Sequence, residues 1–460
     1  MKLTLEQIAH WCSAQLHSPE PNRWVQGYSI DSRTLEQGDL FFAVRGERLD
    51  GHDYIEAAQQ RSAAAIVVAQ SWAQAHTKPA EASWLVVDDP HKALMRLAAA
   101  VRKSWGKRVI AVTGSAGKTS TKEAIAAVLA ARYTVLKSQG NLNNDYGLPL
   151  QLLRLEPEHE VAVIEMGMNH SGEITGLAQI AAPSWGVITN VGMAHVENFA
   201  EGLTGVARAK YELVKALPED GMVFLNCDDA YVSQFGRNFS GRVILFGHGP
   251  CASLHVEKIE NLGADGMRLE VVNGSERALM HLHMMGEHSV SNALAALSVG
   301  LAAEVRLALG ARQIESLRAE ARRGQLLDWQ GASIINDCYN SNPEALTAMI
   351  RTLASMNAKR RVLVAGQMLE LGGQSRTLHA TCGKAAAKAG IDVVLGVAGA
   401  AQDLVEAARR GGAEAIFVET PAEAGVWLKA NLRPGDAALL KASRGVKLEQ
   451  ALTVLGLESK

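Results

Sequence analysis

The stretch Val112-Thr113-Gly114-Ser115-Ala116-Gly117-Lys118-Thr119-Ser120-Thr121 constrains this chain more than any other. The apolar run Arg108-Val109-Ile110-Ala111 precedes it, and the helix-forming Lys122-Glu123-Ala124-Ile125-Ala126-Ala127-Val128-Leu129 follows. Strand, glycine loop and helix in that order commit the region to a βα unit whose loop amides and helix N-terminus can hold a nucleotide phosphate. Gly114 and Gly117 allow close backbone approach, Lys118 supplies a point charge, and Thr119 offers a hydroxyl to magnesium. Val112 stands where the general P-loop pattern has glycine, so the loop is a compact variant. ATP or a related nucleotide is the expected ligand, bound by Gly114, Ser115, Ala116, Gly117, Lys118, Thr119 and Ser120.

Around this unit, strand-like and helix-like runs alternate. Strands are expected at 108–113, 133–137, 160–166, 185–190, 221–226 and 242–246, with helices between most of them. That is the pattern of a doubly wound parallel sheet. Between 254 and 284 the pattern changes to three short runs joined by Gly263-Ala264-Asp265-Gly266 and Asn273-Gly274-Ser275, an antiparallel appendage. A helix at 288–303 closes the unit. From 313 onward a second alternating series begins, with strands near 333–335, 361–364, 392–395, 415–418 and 437–440. The expected fold is therefore α/β with three domains. They are a small N-terminal α/β module (1–83), a central P-loop domain (84–312) and a C-terminal Rossmann-like domain (313–460) that lacks the dinucleotide glycine signature. In such sheets ligands bind at the C-terminal ends of the strands, which places the expected active site in a cleft between the two larger sheets.

At 460 residues the chain is too long for one core. A formal net charge of -2 gives no global field for nucleic acid or membrane, so anionic ligands must meet local sites. No run is long and apolar enough for a bilayer, and no signal-peptide pattern is visible. The five cysteines (Cys12, Cys227, Cys251, Cys338, Cys382) are scattered without CxxC spacing and read as reduced thiols of a cytoplasmic protein.

Other residues fall where chemistry is expected. Glu165 ends the apolar run Val161-Ala162-Val163-Ile164, a position that suits a magnesium carboxylate downstream of a P-loop. His195 follows the next strand and reads equally as structural or functional. Lys210 lies in the apolar stripe of Val206, Leu213, Val214 and Leu217. A lysine there must snorkel, lose its proton, pair with an acid or be modified; reaction with carbon dioxide would make it a carbamate, an oxygen ligand. His288 and Asn292 share one helix face, a spacing equally met by helix capping and polar residues turned to solvent. The segment Asn336-Asp337-Cys338-Tyr339-Asn340-Ser341-Asn342-Pro343-Glu344 can read a sugar or base, cap a helix at Asn342, or do both.

Taken together these residues resemble the Mur ligases, the ATP-dependent amide-forming enzymes of peptidoglycan assembly. The resemblance covers nearly the whole chain: residues 113–119, Glu165, His195, Ala209-Lys210-Tyr211-Glu212, Asn292, Arg323-Gly324 and Asp337. Further segments resemble the members that add a D-alanyl-D-alanine dipeptide. They are Asp31-Ser32-Arg33, Gly38-Asp39-Leu40-Phe41, Asp50-Gly51-His52, Gly140-Asn141-Leu142-Asn143-Asn144, the run from Glu165 to Ile174, Asn340-Ser341-Asn342-Pro343 and Met368-Leu369-Glu370-Leu371-Gly372. The chain departs from the family at Gln367, where aspartate is usual, at Ala442, where glycine is usual, and in the wording around Arg323.

The resemblance implies roles. Lys118 and the loop amides would hold the ATP phosphates, with Thr119 and Glu165 on one magnesium ion and His195 and carbamylated Lys210 on a second. Asn292 and Arg323 would reach the phosphates from outside the loop, and Asp337 the ribose. Ser32 and Arg33 would carry the UDP end of the substrate, and Asn143 and Asn144 its muramoyl-peptide arm. Asn340 and Asn342 would bind substrate, and Ser443 and Arg444 would lie near the incoming dipeptide. The implied reaction joins D-Ala-D-Ala to UDP-N-acetylmuramoyl-tripeptide through an acyl phosphate, in a cytoplasmic monomer whose domains close on their substrates. Rival readings are another Mur ligase, a folylpolyglutamate-type ligase, against which Asp31-Ser32-Arg33 and residues 165–169 argue, and a P-loop binding module without ligase chemistry.

Overall fold

A computed structural model describes residues 1–77, 79 and 81–457. Three sheets organise them. In the first, the strands run in the order Gln15–His17, Trp84–Val87, Ala65–Ala69, Leu40–Phe42 and Tyr28–Ser29. All neighbours are parallel except Gln15–His17, which runs antiparallel to Trp84–Val87. A domain boundary after residue 83 therefore cuts off a strand of this sheet, and the first unit extends at least through Val87. Asp88-Asp89-Pro90 ends that strand and opens a helix. Asp89 caps that helix, Pro90–Trp105, by accepting from the amides of His91 (2.8 Å) and Lys92 (3.2 Å).

The central sheet has nine strands. Six parallel ones run Val135–Lys137, Val161–Glu165, Arg108–Thr113, Trp185–Ile188, Met222–Asn226 and Arg242–Phe246. Three more, Leu254–Asn261, Met267–Asn273 and Glu276–Leu282, form the expected antiparallel appendage. Both faces of the parallel part are covered. Along Arg108–Thr113, Val109 and Ala111 pack into one core cluster while Ile110 and Val112 pack into another. That two-sided burial is why the strand reads as an unbroken apolar run. Strand order reverses on either side of Arg108–Thr113, so the crevice beyond its C-terminal end is a topological switch point.

The third sheet orders Gln325–Trp329, Ala332–Asp337, Asp436–Lys441, Arg360–Gly366, Val393–Val397 and Glu414–Val418. Gln325–Trp329 is the one antiparallel strand. Sequence reading missed it because its exposure alternates along an edge, leaving no continuous apolar run. The helix Leu307–Glu315 packs on Lys118–Ala130 and on Glu276–Leu282, so a boundary at 312 falls inside an element of the central unit.

One cysteine reading is overturned. Cys227 and Cys251 form a disulfide, whereas Cys12, Cys338 and Cys382 are free and buried. The neighbouring parallel strands Met222–Asn226 and Arg242–Phe246 end side by side, which brings together two cysteines that are 24 residues apart in sequence. Among the described residues, no helix is long and apolar enough to cross a membrane.

Candidate active site

The glycine loop sits at the switch point. Gly117 has φ 78°, and a Cβ there would stand 2.7 Å from the Asn292 amide oxygen. A Cβ on Gly114 would collide with the Thr189 hydroxyl. Both positions thus require glycine for space, and Gly117 also for its left-handed backbone. The end of the Trp185–Ile188 strand braces the loop. Thr189 donates its hydroxyl proton to the Ala116 carbonyl (2.6 Å), and the Asn190 side-chain oxygen accepts from the Ala116 amide (2.9 Å). This is why the strand stops at Ile188 and does not run on to 190: its last residues turn to serve the loop.

Chemistry-bearing groups converge from several elements. Thr119 donates its hydroxyl proton to Glu165 (2.8 Å), and Asn143 donates its amide to the other Glu165 oxygen (2.7 Å). Glu165 is 2% exposed. Its carboxylate and the Thr119 hydroxyl form a set of hard oxygen donors, which suits magnesium, so these residues fit the ion that the P-loop implies. Lys118 donates to the Gly114 carbonyl (2.8 Å). Burial pushes its ammonium pKa down, with Glu165 opposing and Arg323 reinforcing the shift.

Lys210 is 2% exposed on the helix Leu203–Ala216. It does not snorkel. Burial, and then the nearby charge of Lys118, push its pKa well below the ordinary lysine value. His195 lines the cleft with φ 62°, and its Nδ1 lies 2.5 Å from the Glu370 carboxylate. That ring holds the Glu370 carboxyl below the usual range.

The C-terminal unit closes the cavity, which has a volume of about 630 Å³. Arg323 stacks 3.6 Å above the Tyr339 ring. Asp337 pairs with buried Lys441 (2.5 Å), which also donates to the Asn340 carbonyl (2.9 Å). Asn342 caps the helix Pro343–Ser355 by accepting from the Ala345 amide (2.8 Å) and lines the cleft as well, so both readings of its segment hold. Asn292 accepts from the Thr121 hydroxyl (3.0 Å) beside the loop.

A larger cavity of about 940 Å³ lies between the first unit and the central one. It is lined by Ser32, Arg33, Phe41, Leu49, Tyr54 and Tyr146, among others. The segment 139–143 separates the two cavities: Gln139 and Leu142 line the larger, Asn141 and Asn143 the smaller.

Not every expected residue faces a cavity. Asn144 spends its side-chain oxygen on the Gly147 amide (2.9 Å), shaping the entry to the helix Gly147–Leu152. Asn143 lines the smaller cavity and donates to Glu165. Ser443 is 4% exposed and accepts from the Leu369 amide (2.9 Å). Arg444 lines the cleft beside Glu449. Sequence reasoning named Tyr339 and Glu344 only within their segment and did not single out Lys441; their shared location depends on the folding of the third sheet. The lysine of the Lys441-Ala442-Ser443-Arg444 segment was the one signal available.

This geometry, a P-loop with its carboxylate facing a second nucleotide-side α/β domain across a cleft, defines a class of ATP-using enzymes. Three family descriptions match along the chain: Mur ligase family, catalytic domain (25–102), Mur ligase middle domain (112–300) and Mur ligase, glutamate ligase domain (322–444). The chain belongs to the Mur ligase family.

Within the family it is similar to the UDP-N-acetylmuramoyl-tripeptide–D-alanyl-D-alanine ligase of Bacillus subtilis strain 168, 35% identical over 98% of this chain and 97% of that protein. The ligase of the same name from Escherichia coli K12 is 36% identical over 86% of each chain. Among solved structures, a MurF crystal structure from Acinetobacter baumannii superposes with TM-score 0.89 at 29% identity, covering 100% of this chain and 99% of that one. A MurF ligase from Thermotoga maritima in complex with ADP gives TM-score 0.81 at 26% identity, covering 94% and 97%.

Proposed function

We propose that this chain joins D-alanyl-D-alanine to UDP-N-acetylmuramoyl-tripeptide with ATP, giving the pentapeptide precursor of peptidoglycan, ADP and phosphate. The observation that carries the reading is the convergence of Lys118, Glu165, His195 and Arg323 from two α/β units on one cleft beside a second, larger cavity. The enzyme acts as a cytoplasmic monomer. Residues 1–87 hold the UDP end through Ser32 and Arg33, the central unit holds ATP, and the last unit brings nucleotide contacts and the dipeptide.

An amide does not form from a carboxylate and an amine in water without activation. The tripeptide carboxylate attacks the γ-phosphorus of ATP; an oxygen–phosphorus bond forms, and the bond to ADP breaks. The dipeptide amine then attacks the acyl carbon, and phosphate leaves from a tetrahedral intermediate as the nitrogen loses a proton. Lys118 and Arg323 offset the repulsion between carboxylate and triphosphate, and the amides of 114–119 fix the phosphate oxygens. Magnesium held by Thr119 and Glu165, and a second ion served by His195 and Lys210, would supply further charge neutralisation. Arg323 and Tyr339 cover the loop from the C-terminal side and exclude water from the labile acyl phosphate.

Lys210 takes part as a carbamate. Burial and the Lys118 charge lower its pKa and so favour the neutral amine, the form that attacks carbon dioxide. A nitrogen–carbon bond forms, one carbonyl pair moves to oxygen, and a proton leaves. The product is an anion that relieves the repulsion between Lys210 and Lys118.

The test is phosphate release from ATP with UDP-N-acetylmuramoyl-tripeptide, with and without D-Ala-D-Ala, and the product weighed by mass spectrometry. Release that needs both substrates and yields the pentapeptide supports the reading. Release indifferent to the dipeptide removes the acceptor assignment.

A further inference from the structure

His195 and Glu370 face each other from different units, and both adopt a left-handed backbone, at φ 62° and 63°. Such a conformation in a non-glycine residue costs free energy and persists where surrounding contacts impose it. The Glu370 carboxylate lies 2.5 Å from His195 Nδ1, and the Glu370 carbonyl accepts from the Glu197 amide (3.4 Å). The loop that carries Glu370 is fixed on its own side. The Met368 amide donates to Nε2 of fully buried His379 (2.9 Å), whose Nδ1 meets the Ser375 carbonyl (2.7 Å). Next along, the Leu369 amide donates to Ser443 (2.9 Å). The His195 loop is gripped a second time where the Met193 amide donates to Glu344 (3.1 Å). Two carboxylates of the C-terminal unit therefore hold one short loop of the central unit.

We propose that Glu370 is the positioning residue for His195, so that docking of the C-terminal unit sets which ring nitrogen faces the chemistry. The contact is a close approach without hydrogen-bond alignment at Nδ1, and a carboxylate, which can only accept, favours hydrogen on the nitrogen it faces. With the carboxylate on the Nδ1 side, the ring is oriented so that Nε2 is left for a cation in the cleft. An exposed ion pair adds little stability by itself. The value of this one is orientation, which is why its loop is anchored through His379 and Ser443 before it reaches across. The catalytic ensemble is complete only when the two units are together.

The inference rests on the reading that His195 serves the ligase reaction, and the test separates the two. Rates of phosphate release are compared for the intact protein, E370A, E370D, H195A and the E370A/H195A double variant, with thermal midpoints measured alongside. Expected are a loss of kcat of about tenfold to hundredfold in E370A, partial recovery in E370D, and a double variant no slower than H195A. In addition, long-range nitrogen–proton spectra at fixed pH should show the Nδ1-H tautomer of His195 in the intact protein and lose it in E370A. An unchanged tautomer in E370A, or losses that multiply in the double variant, would overturn the positioning role. H195A at full rate would instead remove His195 from the reaction, and with it any purpose for the contact.

Discussion

Buried Lys210 lies within electrostatic reach of Lys118, and burial lowers both pKa values. The arrangement is costly as two ammonium ions and favourable once one becomes an anion. Labelled bicarbonate is therefore expected to give a carbamate carbon signal that is absent in K210A, along with a loss of at least a hundredfold in ligation rate. A variant that keeps full rate and shows no signal change ends the idea. A second residue-scale expectation concerns Asp50. Burial works against its ionisation, but the His52 amide and ring and the Arg45 guanidinium overcome this and hold the carboxyl at about 2. With an unfolded value of about 4, the folded pKa is depressed. The stabilisation is then complete above about pH 4 and is lost as pH falls toward 2. Urea midpoints of the protein and of D50N should differ by a constant amount between pH 5 and 7, with the gap closing on acidification; a gap that widens in acid contradicts the assignment.

At the scale of elements, the disulfide between Cys227 and Cys251 ties the end of Met222–Asn226 to the segment ahead of Leu254–Asn261. Closing a loop of that length is worth about 3 kcal/mol in the chain-entropy description. Reductant is expected to lower the unfolding midpoint of the intact protein and leave a C227S/C251S variant unmoved; equal sensitivity would show that the bond does not form in solution. This element also marks where sequence reading ran out. The strands around the P-loop were legible because burial on both faces writes a continuous apolar run. Glu165 was legible because it ends one of those runs. The disulfide, the edge strand Gln325–Trp329 and the Asp337–Lys441 pair were not. Each depends on which strands lie side by side, and strand adjacency leaves no local mark. Asn144 lies in a recognisable segment, but that its side-chain oxygen serves the turn to Gly147 is not written in the segment itself.

For the whole molecule, the contacts Met193–Glu344 and His195–Glu370 describe the C-terminal unit drawn against the central one. Ligands that bridge the cleft touch both units and should shift the population toward closure. Solution scattering with a non-hydrolysable ATP analogue and UDP-N-acetylmuramoyl-tripeptide should give a smaller radius of gyration than the free protein. Superimposable profiles would count against a closing mechanism.

The wall formed by residues 139–143 has one more consequence. A molecule anchored in the 940 Å³ cavity must pass along that wall to present its far end to Glu165 and Lys118. The wall then works as a gauge of length, and the grip at one end decides what reaches the other. A UDP-linked substrate one residue short keeps its anchor but leaves its carboxylate short of the phosphate. Such a molecule should occupy the enzyme without turning over, and so act as a competitive inhibitor of the full-length substrate.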